Sequence, residues 1–163
     1  MSAVTLPEVL DAWRMVASRR GFEGTLPLSA LERLREVGVD FDDVMLERPG
    51  AHVHGYGQSK LAQISMTVAL APRFAEEGIT MVSLHPATQM DTTMIKDLGV
   101  TPRTTVAAGR DHVMGLITAP RLQAGAFYVD GKPAAPRNPQ PADAEARARL
   151  LALSAELTGV AAR

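Results

Sequence analysis

Apolar positions along the chain predict one long central helix flanked by shorter elements. Between Gly57 and Glu77 the residues Leu61, Ile64, Val68, Leu70 and Phe74 recur at three-four spacing but spread beyond one narrow stripe. Such a helix needs cover on two sides. Pro72 lies inside it, removes one backbone hydrogen bond, and is expected to bend it near Val68. Gly78 closes the helix, and ITMVSLHP from Ile79 to Pro86 predicts a short buried strand. Helix, tight glycine turn and strand together make one half of a βαβ unit.

On either side the pattern is shorter. Leu6 to Arg20 places Val9, Leu10, Trp13, Val16 and Ala17 on one helical face, with Pro7 in the first turn and Gly21 past the end. Residues 24–34, GTLPLSALERL, are open between a short strand at Thr25–Leu28 and a helix start, and Pro27 argues for an edge or a turn. REVGVDFDDVMLERPGAHVHG (35–55) reads as a loop with at most one helical turn. Thr101 as cap and Pro102 at the first helical position predict a helix to about Thr118. GAFYVD (125–130) predicts a second buried strand, and GKPAAPRNPQPA (131–142) a Pro-rich connector. The tail DAEARARLLALSAELTG predicts a last helix capped by Asp143 and ended by Gly159.

Composition narrows the class. The 163 residues, 46% hydrophobic, fit one domain with a real core. Lys plus Arg (17) nearly balance Asp plus Glu (18), so no strong field would recruit nucleic acid or anionic lipid. The absence of cysteine excludes disulfides, thiolate catalysis and a Cys-based zinc site. No apolar run approaches the roughly 20 residues of a membrane span. The N-terminal MSAVTLPEVLDAW carries acids where a secretory signal would carry Lys or Arg, and a cytoplasmic location is the expectation. The excess of Arg over Lys fits a GC-rich bacterial genome.

The candidate chemistry centres on YGQSK, residues 56–60. Tyr56 and Lys60 are four apart at a helix start and so share a face. An ammonium beside a phenol hydroxyl favours the phenolate, and the pair could exchange a proton with a substrate oxygen. A Tyr and a Lys four apart on a helix are also common, and the spacing alone carries little. His52 and His54 alternate along a predicted extended loop beside Tyr56. His54 is a candidate acid or base and His52 a candidate substrate contact; two solvated histidines are the ordinary alternative. As a metal pair they lack a third ligand at recognisable spacing. Asp40, Asp42 and Asp43 read as a capped, solvated turn, and His85 as a positional histidine at a strand end. Met90 and Met94 read as core filler or as a flexible apolar lining for a greasy substrate.

Several separate stretches, DFDDVMLERPGAHVHGYGQSKLAQ, GITMVSLHPATQMDT, AGAFYVDGKPAAP and LLALSAELTG, resemble, in the same order, the short-chain dehydrogenase/reductase superfamily, most closely its retinol-dehydrogenase-like and WW-domain oxidoreductase-like members. The resemblance spans roughly residues 37 to 160 and implies a truncated Rossmann-like α/β fold: a small parallel sheet of two or three strands with packed helices. It implies Tyr56 as proton donor or acceptor at a substrate carbonyl, Lys60 as its tuning partner, and Ser29 as the group that polarises the same carbonyl. It places a substrate-binding loop near Met90 and Met94. It also implies a homodimer through the helix at 57–77.

The chain departs from that pattern in ways that redirect the expectation. His85, Pro86 and Ala87 stand where the family has HPG, with Thr92 following. Pro72 replaces a helix former. Only 55 residues precede Tyr56, and they hold no Gly-rich turn after a strand. Each βαβ unit of a nucleotide-binding half needs about 30 residues or more, so the pyrophosphate of NAD(P) has no helix N-terminus to occupy. The expectation is a single domain, residues 1–163, with a divergent helical segment at 1–36. Its expected activity is cofactor-independent Tyr/Lys acid-base chemistry (isomerase, cyclase or dehydratase type) on an apolar metabolite in polyketide-like secondary metabolism. Two alternatives stay open: a non-catalytic remnant that binds a partner such as a full-length dehydrogenase, and an NAD(P)-dependent reductase fragment that needs another chain.

Overall fold

A computed structural model describes residues 37–49, 51–97 and 99–160, without the side chains of residues 52 and 53. Ser29, the helix expected at Leu6–Arg20 and the ambiguous segment 24–34 lie outside the described residues. The rest is a mixed α/β arrangement: four α-helices and one three-stranded sheet. Among the described residues, no helix is long and apolar enough to cross a membrane.

A 3-10 turn at Ala51–His54 runs directly into helix α1, Gly55–Glu76. The helix therefore starts two residues before the periodicity predicts, and it continues through Pro72. Gly78, at φ 77°, ends it: Gly78 N–H donates to Ala75 O at 3.0 Å and Ile79 N–H to Phe74 O at 2.9 Å. These two bonds satisfy carbonyls that the helix end would otherwise orphan, and the left-handed position requires no strain from a glycine.

Strand β1 is Ser83–His85, shorter than the predicted segment and half-buried rather than buried. It pairs in parallel with β2, Phe127–Val129, in which Tyr128 alone is buried. Parallel neighbours need a crossover, and helices α2 (Thr93–Asp97) and α3 (Val106–Ile117) supply it. The third strand, β3 at Lys132–Ala134, pairs antiparallel with β2, so the sheet is not wholly parallel and the Pro-rich connector is not wholly irregular. The cause is local: Asp130 (φ 49°) and Gly131 (φ 77°) both adopt positive φ, as a two-residue type I′ hairpin turn demands.

The cap of α3 also differs from expectation. Residues before Thr105 are extended, because Arg103 N–H donates to Gln89 O and Asp91 N–H to Thr104 O, both at 3.0 Å. Thr105 takes the capping role instead of Thr101, its hydroxyl accepting from Ala108 N–H at 3.1 Å. Helix α4, Ala144–Thr158, has the predicted ends. Asp143 accepts from the N–H groups of Glu145 and Ala146, and Gly159 sits at φ 68°.

Helix α1 is covered on two sides, as its wide apolar arc requires. On one, Ala62 joins Val39 and Leu150 in a buried cluster flanked by Phe41, Val44 and Met66. On the other, Gly125 brings the start of β2 so close that a Cβ there would lie 3.3 Å from Ala71 Cβ and 3.8 Å from Val68 Cα. The loop before α1 thus contributes Val39, Phe41 and Val44 to the packing, which positions everything at the start of that helix.

Candidate functional site

Tyr56 and Lys60 emerge from the first two turns of α1 on one face. The Lys60 ammonium lies 5.6 Å from the centroid of the Tyr56 ring, within the range of a cation–π contact. Both residues are exposed, Tyr56 at 54%. Lys60 Nζ also approaches Gln63 Oε1 at 3.5 Å, and Ser59 Oγ donates to Tyr56 O at 2.8 Å. The helix begins with no side-chain cap. What the arrangement can do is hold a cation beside a phenol that solvent and solutes reach freely.

Gln58, two residues from Tyr56, projects about 200° away around the helix and is 6% exposed. Its Oε1 accepts from Asp40 N–H at 2.9 Å and its Nε2 donates to Val44 O at 3.0 Å. Both ends of the amide are therefore spent on tying the preceding loop to α1. A second glutamine, Gln140, grips the same loop from a 3-10 turn at Gln140–Ala142: Val39 N–H donates to its Oε1 at 2.6 Å and its Nε2 donates to Val39 O at 3.1 Å. Neither glutamine has a sequence signature; only the fold brings each to a backbone in need of partners.

The acidic cluster is a capped turn. Asp43 is buried, its oxygens accepting from Glu47 N–H at 2.7 Å and Arg48 N–H at 3.1 Å, with Arg48 Nε at 3.3 Å. Asp40 accepts from Asp42 N–H and pairs with Arg48 Nη2, both at 3.0 Å. Asp42 meets Arg149 at 3.2 Å, and the Arg149 guanidinium lies 4.8 Å from the Phe41 ring. Among the described residues, no group of three His, Asp or Glu side chains is arranged to hold a metal ion.

Between this loop and α1 lies an open cavity of about 370 Å³ lined by Val37, Gly38, Val39, Asp40, Leu46, Ala51, His54 and Gln58. His54 thus belongs to the Gln58 side of the helix start and not to the Tyr56 side. His52 lies in the 3-10 turn rather than in an extended loop, so the predicted alternation of the two histidines does not occur.

The remaining predicted residues lie in the crossover. Met90 forms an isolated parallel bridge with Thr104 and packs on Gly109 of α3, while Met94 in α2 is 58% exposed. His85 Nε2 lies 3.1 Å from Thr88 Oγ1 at the end of β1. Met90, Met94 and His85 thus belong to β1 and the crossover, not to the start of α1 that carries Tyr56. Comparison with family models, curated proteins and solved structures finds no match to this chain.

Proposed function

We propose that this chain is a cofactor-independent acid-base enzyme of dehydrogenase descent. In this reading Tyr56 donates or accepts a proton at a carbonyl, enol or hydroxyl oxygen of an apolar metabolite, and Lys60 supports the charge on the phenol oxygen. The observation that carries it is the Lys60 ammonium 5.6 Å from the Tyr56 ring on a face open to solutes. In this reading the ammonium, held over the ring, would reach toward the phenol oxygen and stabilise the negative charge that develops as the proton leaves. Isomerisation, cyclisation or dehydration would each use such a step. The substrate would approach from the exposed face, and a second copy packed along α1 would cover it.

The test is product formation by wild type and Tyr56→Phe, with the variant's fold verified by circular dichroism. Unchanged turnover in a folded variant removes Tyr56 as the proton-transfer group. Titration with NADH and NADPH separates the reductase alternative: micromolar binding would overturn the cofactor-independent reading.

One observation favours the partner-binding alternative. Ser83 N–H and His85 O bond toward β2, so the Leu84 backbone groups between them turn to the opposite edge of β1, where no strand is paired among the described residues. Such an edge accepts a strand from another chain. Size-exclusion chromatography with and without a full-length dehydrogenase distinguishes this from the enzyme reading.

A further inference from the structure

We propose that the cavity between α1 and the loop at Val37–Leu46 is a second small-molecule site, separate from the Tyr56 face. Its ligand would be a neutral one- or two-ring molecule bearing a single hydroxyl or carbonyl. This goes beyond the acid-base reading and does not depend on it.

The wall on the helix side follows from backbone geometry. Ala51 and His54 are three apart in the 3-10 turn, where such residues eclipse one another, and Gln58 follows four later, one α-helical turn on. The three therefore stack as one surface, and Val37, Gly38, Val39 and Leu46 face it. The volume of about 370 Å³ falls at the lower end of the range for small-molecule sites, ~300–1,000 Å³.

The polar inventory decides the ligand. Gln58 has both amide ends engaged. The Asp40 carboxylate is occupied by Asp42 N–H and the Arg48 guanidinium, and its charge disfavours an anion. The exposed His54 imidazole is the lining side chain that has no hydrogen bond among the described residues. In this open, mostly apolar cleft with one uncommitted imidazole, an apolar body would pack on Val37, Val39, Leu46 and Ala51 and turn one polar handle to His54, since polar groups on the face that packs there would lose water without gaining a partner.

The experiment is a two-dimensional amide NMR titration of the isotope-labelled full chain with 2-naphthol and, in parallel, naphthalene. The expected result is a saturable shift of the Val39, Ala51 and Gln58 amides, with 2-naphthol binding about tenfold more tightly than naphthalene, as one hydrogen bond would supply. His54→Ala removes that preference, Ala51→Phe fills the space and abolishes the shifts, and Tyr56→Phe leaves them unchanged. Where Ala51→Phe fails to fold, the His54→Ala comparison of the two probes decides. Absence of saturable shifts, shifts centred on Tyr56 and Lys60, or a preference that survives His54→Ala overturns the proposal. Loss of enzymatic turnover in Tyr56→Phe with unchanged naphthol binding bears on the acid-base reading alone, so the two fail separately.

Discussion

Gln140 holds Val39 by both of its backbone groups across a separation of 101 residues, accepting from its N–H at 2.6 Å and donating to its carbonyl at 3.1 Å. The side-chain amide stands in for a neighbouring β-strand, and it joins the segment before α1 to the segment before α4. Gln140→Ala leaves two backbone groups of a buried residue without partners. The expected loss is about 1–3 kcal/mol, read as a lower urea midpoint at unchanged slope.

Gln58→Leu tests the companion clamp. The substitution keeps the buried volume and removes the bonds to Asp40 N–H and Val44 O, again with an expected cost of about 1–3 kcal/mol. Since Gln58 and Gln140 fasten consecutive residues of one loop, the double variant should lose less than the sum of the single losses. Strict additivity in a double-mutant cycle would show that the clamps act independently.

Gly109 is the point where α3 meets Met90. A Cβ at Gly109 would collide with Met90 Sδ, so Gly109→Ala gains helix propensity but must displace the end of the methionine side chain. Overpacking costs about 1–3 kcal/mol where neighbours cannot move, and because the thioether is the movable end of an unbranched side chain the net loss should be about 1 kcal/mol or less. Combining it with Met90→Ala should recover part of the loss, whereas Gly115→Ala in the same helix, where a Cβ would meet nothing within 4 Å, should be neutral or stabilising. Thermal melting of these three variants and of Met90→Ala alone checks the set.

The ends of α4 give the simplest pair. Asp143→Ala deletes the one carboxylate oxygen, Oδ1, that accepts from two orphan N–H groups and should cost about 1 kcal/mol. Gly159→Ala forces a side chain into φ 68° and should cost about 1 kcal/mol as well. Denaturant unfolding should show both, additively, because the sites lie at opposite ends of the helix.

A last prediction rests on the acid-base reading. Lys60→Met keeps the length of the side chain and removes its charge, so turnover should fall about 10²-fold or more, toward the loss expected for Tyr56→Phe. Lys60→Arg should retain part of the activity. Equal turnover in Lys60→Met and wild type would separate the lysine from the chemistry.

Features under the control of local physics could be read from the chain alone. Gly78 and Gly159 mark helix ends because only a glycine enters the left-handed region without strain. Asp143 caps α4 because its side chain reaches N–H groups two and three residues on. Tyr56 and Lys60 share a face because they are four apart on a helix. The third strand escapes such a reading: Asp130-Gly131 is a strong hairpin signal, but the prolines on both sides of Ala134 and Ala135 favour a connector. Which side of α1 faces what depends instead on packing between distant segments. That packing spent Gln58, the middle residue of YGQSK, on the loop at Asp40 and Val44, and it set His54 beside that amide rather than beside Tyr56. It moved the α3 cap from Thr101 to Thr105 by pairing Arg103 and Thr104 with the chain at Gln89–Asp91. In each case the deciding bond joins residues far apart in sequence or from different elements, and spacing along the chain carries no record of such a bond.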